Sequence, residues 1–146
     1  MAEAAARGAR EERDIDVRLV GAEAAGVEDV LAADGYIFVG PENLAALSGE
    51  LKAFFDRTYY GVLDRLNGRP YAHLIVAGSD GSGAARQLAR IAMGWRLKPI
   101  AEPVILCTHA QTPEAILAPK HLTNSELASS AQLGAAMAAG LALGVF

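Results

Sequence analysis

A single cysteine, Cys107, is the only thiol in the 146 residues. One thiol builds neither a disulfide framework nor a cysteine metal cluster, and it suits a reducing cytoplasm. Within the apolar run "PVILCT" it reads as a small hydrophobe in a strand rather than a nucleophile. Lys and Arg number 13 against 17 Asp and Glu, giving a net charge of −4 and a pI of about 5.3, and the basic residues form no dense run. The charge balance argues against a surface built to neutralise nucleic-acid phosphates. Apolar runs of about eighteen residues are also missing, and "MAEAAARGAREERD" carries acidic residues without an apolar h-region, so the sequence predicts a cytoplasmic protein with no membrane segment. His73, His109 and His121 have no suitably spaced Cys or carboxylate partners, which leaves a metal site unsupported.

What is present is a large apolar complement. Hydrophobic residues make up 52% of the chain, enough for one substantial core, so residues 1–146 are expected to form a single domain. Residues 2–12 are Ala-rich with charges on one side, a helix pattern. "IDVRLV", 15–20, alternates apolar and polar as an outer strand does. Residues 21–33 read as a polar link with one short helical turn. The unbroken apolar run at 36–39 predicts a strand buried on both sides; "YAHLIVAG" (71–78) reads as a further strand and "PVILCT" (103–108), again continuously apolar, as another. Helices are expected over about 48–58, where Leu51, Phe54 and Phe55 share a face, from "SDGSG" through Arg86, Leu88, Ile91 and Trp95, and from "TNSE", a capping box at Thr123 and Glu126, to about Gly140. The proline-rich stretch 109–120 reads as an irregular loop. Strand and helix alternate with crossovers long enough to hold helices, which predicts an α/β fold: a doubly wound parallel sheet in three layers with four recognisable strands.

Two loops leave carboxyl ends of apolar strands, "GPEN" at 40–43 and "GSDGSG" at 78–83, and in a parallel sheet both lie on one edge, where a ligand can meet both. Gly40 permits close backbone approach, Pro41 fixes its own φ, and Asn43 offers an amide that bonds in both senses. Taken alone, a Gly-Pro pair is also ordinary turn chemistry. The glycine-rich loop fails both common phosphate templates: no Lys follows its last glycine, and "GSGAAR" places Arg86 where the dinucleotide fingerprint has Gly or Ala. It stands either as a phosphate cradle or as a turn and helix cap in which Ser79, Asp80 or Ser82 satisfies free amides.

The segments "ADGYIFVGPENLAALSGELKAFFDRTYY", "GRPYAHLIVAGSDGSGAARQLARI" and "LGAAMAAGLALGVF" together resemble the flavodoxin-like family of NAD(P)H-dependent FMN reductases and NAD(P)H:quinone oxidoreductases, from about residue 14 to Phe146. The resemblance implies that Pro41, Glu42, Asn43 and Leu44 line one side of the isoalloxazine ring of FMN, and Gly78, Ser79, Asp80 and Gly81 the other. It implies NAD(P)H as co-substrate and a small-molecule electron acceptor such as a quinone. Such chemistry resides in the flavin, which is why no catalytic nucleophile or acid/base pair stands out.

That family opens with a strand and a Ser/Thr/Gly-rich phosphate loop, whereas this sequence starts in what resembles the helix after them. The absent strand would lie inside a 2-1-3-4-5 sheet. About five buried apolar side chains at roughly 1.5 to 3 kcal/mol each compare with the 5 to 15 kcal/mol that stabilises a typical domain. Three outcomes are open: residues 15–20 shift to pair with 36–40, a second copy covers the exposed edges, or the functional protein is longer than this sequence. Loss of about three phosphate hydrogen bonds would weaken FMN binding by three decades or more. The alternative function is a flavodoxin-like module acting through protein contacts without tight flavin binding, and a third reading is a nucleotide switch built on "GSDGSG". Tyr59 and Tyr60 either cover the flavin or form a subunit contact, the small residues of "LGAAMAAGLALG" suit core or dimer packing, and a homodimer or homotetramer is expected. Glu42 reads either as an exposed carboxylate or as a group near the flavin, and His73 as core or inter-strand packing.

Overall fold

The alternation of helix and strand resolves, in a computed structural model describing all 146 residues, into a three-layer α/β arrangement. The element order is α1 (Ala2–Ala9), α2 (Val27–Ala32), β1 (Tyr36–Asn43), β2 (Ala46–Leu47), α3 (Gly49–Val62), β3 (Pro70–Ala77), α4 (Ser82–Gly94), β4 (Lys98–Pro99), β5 (Val104–Cys107), α5 (Pro113–Leu117) and α6 (Asn124–Ala142). β3 is central: β1 runs parallel to it on one side, and β4 then β5 run parallel to it on the other. Nearly every residue of β3 is buried, as expected of a strand covered on both faces.

Side-chain alternation sends Tyr36, Phe38, Tyr71 and Ile75 to the layer of α3 and α4, and Ile37, Val39, Ala72 and Leu74 to the layer of α1 and α6. The first layer holds the larger core. Trp95 sits there among Phe55, Phe54 and Phe38, with ring centroids 5.0, 5.9 and 6.2 Å away. The tilted and edge-to-face geometry of these rings is the preferred one for aromatic clusters. In the second layer, α1 and α6 touch through their backbones. A Cβ on Gly134 would stand 2.0 Å from the Ala5 carbonyl oxygen, and one on Gly8 equally close to that of Ala131. The small residues of the last helix therefore serve packing against α1. No helix is long and apolar enough to cross a membrane.

Several expectations are corrected. Residues 15–20 form no strand and do not pair with 36–40: β1 meets β3 on one edge and β2, at Glu42 and Asn43 only, on the other. The alternating pattern supplies one apolar face but no neighbour for the backbone, and Arg18 is instead tied to Asp29 at 2.7 Å. The "GPEN" segment belongs to β1, which continues to Asn43 and folds back as a hairpin. Pro41 is accommodated because β1 is a sheet-edge strand. The two-residue strand β4 was not foreseen. Stretch 109–120 contains α5, with Pro113 in its first turn and Thr112 accepting from the Ala115 amide at 3.2 Å; proline is well suited to a first helical turn. The capping box at Thr123 and Glu126 forms as expected, with the Glu126 carboxylate 2.7 Å from the Thr123 amide.

Candidate functional site

Because β1 and β3 are parallel and in register at Gly40 with Ile75 and Pro41 with Val76, the segments that follow them emerge on one edge of the sheet. They are also bonded to each other. The Glu42 carboxylate turns inward: one oxygen accepts from the Gly81 amide at 3.0 Å and the other from the Ala84 amide at 2.9 Å. Those amides open α4, whose partial positive end favours a carboxylate. Further along the hairpin, the Leu47 amide donates to Gln87 Oε1 at 2.8 Å. Gly83 completes the contact, since a Cβ there would lie 2.3 Å from the Ala45 carbonyl oxygen.

The hairpin tip carries conformational cost. Leu44 and Ala45 sit between the paired Asn43 and Ala46 with φ of 51° and 60°, the left-handed pair that a tight two-residue hairpin needs and that Asn-Gly normally supplies. A non-glycine residue in that region costs about 1 to 2 kcal/mol. Leu44 is moreover fully exposed. Apolar surface and backbone strain thus coincide on the rim, as they do at ligand clamps. Opposite, Gly81 caps α4 with φ 81°, and a Cβ there would strike Ile105 at 2.5 Å, so only glycine gives this turn its path. Ser79 and Asp80 are exposed; Asp80 accepts from the Ser82 hydroxyl at 2.5 Å. The Cys107 thiol faces the Ser79 carbonyl at 3.4 Å, behind the turn.

Of the eight residues expected to line a ligand, Pro41, Asn43, Leu44, Ser79 and Asp80 form the exposed rim, Gly78 and Gly81 give the turn its backbone course, and Glu42 lies between the two segments as their brace. The cap of α4 comes from Glu42 across the sheet edge, not from Ser79, Asp80 or Ser82. With the Gly81 and Ala84 amides already bonded to a carboxylate, the glycine-rich turn is organised as a helix cap. Glu42, Gly83 and Gln87 hold the site together, and only the Gly83 position, inside a glycine-rich turn, carried a local signal for close approach. Tyr59 and Tyr60 follow the middle of α3 toward the opposite edge of the sheet, where the chain returns to Pro70. Their rings meet edge to face, with centroids 5.1 Å apart, and Tyr60 is largely exposed. His73 is buried beside Tyr71, its ring 5.8 Å away. Neither ring nitrogen has a hydrogen-bond partner, and burial holds its pKa below the ordinary 6.5. No group of three or more His, Cys, Asp or Glu is placed to hold a metal ion.

Comparison with known proteins agrees with this arrangement. The model of the NADPH-dependent FMN reductase family matches residues 1–112. A flavodoxin of Aquifex aeolicus (strain VF5) is 35% identical over 83 residues, which is 57% of this chain and 45% of that protein; the match spans less than half the length of this curated relative. Among solved structures, a flavodoxin from the domain Archaea superposes with a TM-score of 0.74 at 13% identity, over 96% of this chain and 87% of the other. A flavodoxin, WrbA-like protein from Agrobacterium tumefaciens gives 0.69 at 15% identity, over 94% and 87%. At such identities the structures establish the flavodoxin-like fold.

Proposed function

The chain belongs to the NADPH-dependent FMN reductase family, and from that premise we propose that it acts as an FMN-dependent oxidoreductase, with NAD(P)H as hydride donor and a small acceptor such as a quinone. The observation that carries this reading is the Glu42 brace, which joins the hairpin to the start of α4 and brings both loop segments to one rim. FMN, when bound, supplies the hydride chemistry at its ring, and the protein supplies orientation and electrostatics. The residues present suit a flat ring. Leu44 offers apolar surface for it to cover, Asn43 an amide that donates or accepts, and the glycine-rich turn its exposed residues Ser79 and Asp80. Pro41 stiffens the strand end from which the hairpin springs.

The alternative, a module that works through protein contacts, is favoured by one feature: the Gly81 and Ala84 amides are bonded to Glu42 and thus are not donors for a phosphate. Titration with FMN, followed by quenching of flavin fluorescence, separates the two. Saturable binding at or below the order of tens of micromolar, followed by FMN-dependent NAD(P)H oxidation with a quinone present, supports the oxidoreductase. No uptake at that concentration overturns it and leaves the contact module.

A further inference from the structure

α4 carries two cations that no acid answers. Arg86 and Arg90 are both exposed on this helix, and neither enters any of the chain's ion pairs, which are Arg18–Asp29, Lys52–Asp56 and Arg96–Asp64. α4 itself contains no Asp or Glu. Like charges four residues apart on a helix are neighbours at about 5 to 6 Å and repel each other, so folding alone does not favour the pair. In a chain of net charge −4 it is a local reversal of sign.

The pair stands beside the ligand rim. Gly83 meets the hairpin at the Ala45 carbonyl, and at about 100° per residue Arg90 falls roughly 20° and Arg86 roughly 60° from Gly83 around the helix axis. Along the axis, Arg86 is about 4.5 Å and Arg90 about 10.5 Å beyond Gly83. The Cα–Cβ bonds of a helix tilt toward its N-terminus, which in α4 is the glycine-rich turn, so both side chains set off toward the rim. The amides of that turn are taken, since Gly81 and Ala84 donate to Glu42, and Asp80 is held by the Ser82 hydroxyl. Anion binding there falls to the two guanidinium groups.

We propose that Arg86 and Arg90 together bind a phosphate monoester dianion carried by one of the reaction's own nucleotides, the 2′-phosphate of NADPH or the terminal phosphate of FMN, and thereby select the phosphorylated form of that nucleotide. Each planar guanidinium can give two parallel N–H bonds to phosphate oxygens. NADH and riboflavin are the matching molecules without the monoester. The choice of nucleotides rests on the oxidoreductase reading, whereas the paired cations stand without it.

The test is titration of the protein with NADPH and NADH, followed by nicotinamide fluorescence, and with FMN and riboflavin, followed by flavin fluorescence. The proteins compared are the parent, the double variant Arg86→Gln with Arg90→Gln, and Lys98→Gln. Gln keeps helix propensity and relieves the repulsion, so the double variant is expected to fold; Lys98 is an exposed cation paired through its strand with Pro70, at the opposite edge of the sheet. The expected result is that the parent prefers the phosphorylated member of one couple by at least tenfold. The double variant loses that preference because the phosphorylated member alone binds more weakly, and Lys98→Gln keeps it. Loss confined to NADPH assigns the site to the 2′-phosphate, and loss confined to FMN assigns it to the flavin phosphate. A parent without preference in either couple, a preference that survives in the double variant, or equal weakening of both members of a couple would overturn the proposal. The two readings fail separately: a preference for NADPH without FMN uptake removes the oxidoreductase and leaves the arginine site, while FMN-dependent turnover without any preference does the reverse.

Discussion

Replacement of Glu42 tests the central geometric claim directly. Its two oxygens accept from the Gly81 and Ala84 amides at 3.0 and 2.9 Å, and Ala84 is wholly buried. A hydrogen bond to a charged acceptor contributes about 1.5 to 3 kcal/mol, and a buried amide left without a partner costs about 1 to 3 kcal/mol. Glu42 is itself half-buried, so solvent screens part of this and lets water replace part of the bond to Gly81; the lower half of each range applies. Glu42→Ala is then expected to lower unfolding stability by about 2 to 4 kcal/mol, and Glu42→Gln, which keeps one acceptor oxygen, by about half as much. Urea unfolding with an unchanged m-value measures both. Because the same contact sets the spacing of the hairpin from the glycine-rich turn, Glu42→Ala is also expected to weaken FMN binding by about tenfold or more, equivalent to about 1.4 kcal/mol. A Glu42→Ala protein within about 0.5 kcal/mol of the parent, the range of an ordinary surface change, would refute the reasoning.

Gly83→Ala should separate the hairpin from α4, because its Cβ meets the Ala45 carbonyl oxygen at 2.3 Å; a loss of about 1 to 3 kcal/mol in urea unfolding and weaker FMN binding are expected. Ala45→Gly should relieve the left-handed strain at φ 60° and raise stability by about 1 kcal/mol, read as a higher Tm. Burial lowers the His73 pKa in the folded protein, so below about pH 6.5 the unfolded chain binds the extra proton first. Stability should therefore fall as pH drops through that region, with a slope of at most about 1.4 kcal/mol per pH unit from this group. His73→Leu should flatten that slope between parallel denaturant titrations at successive pH values; an unchanged slope would show that other groups cause it.

The strands were the most legible part of the fold, since 36–39, 71–78 and 103–108 are continuous apolar runs, although only β3 is buried nearly along its whole length and β5 leaves Ile105 exposed. Helix starts with side-chain caps were also readable, as at Thr123 with Glu126. Where sequence reasoning failed, a tertiary partner decided. Residues 15–20 have the right period, yet a strand exists only beside another strand. At "GPEN", Gly and Pro read as loop, but pairing with Ala46 and Leu47 extends the strand through them, and the Leu44–Ala45 turn lacks the Asn-Gly signature that would have revealed the hairpin. Glu42 meets its amides 39 and 42 residues away, a distance at which no local pattern operates. The position of the two loops on one edge was legible from parallel topology alone; the means of joining them was not.

Trp95 is the sole indole in the chain. It is 5% exposed, its Nε1 has no hydrogen-bond partner, and Phe38, one of its ring neighbours, also lines a cavity between β1 and residues 15–20. The protein thus carries a built-in optical gauge: emission from one buried chromophore tracks the α3–α4 half of the core, with Phe38 as the relay through which a disturbance on the far side of β1 reaches it. Comparing the wavelength of that emission with far-ultraviolet dichroism, which sums over all the helices, would time the opening of one half against the other without any added label.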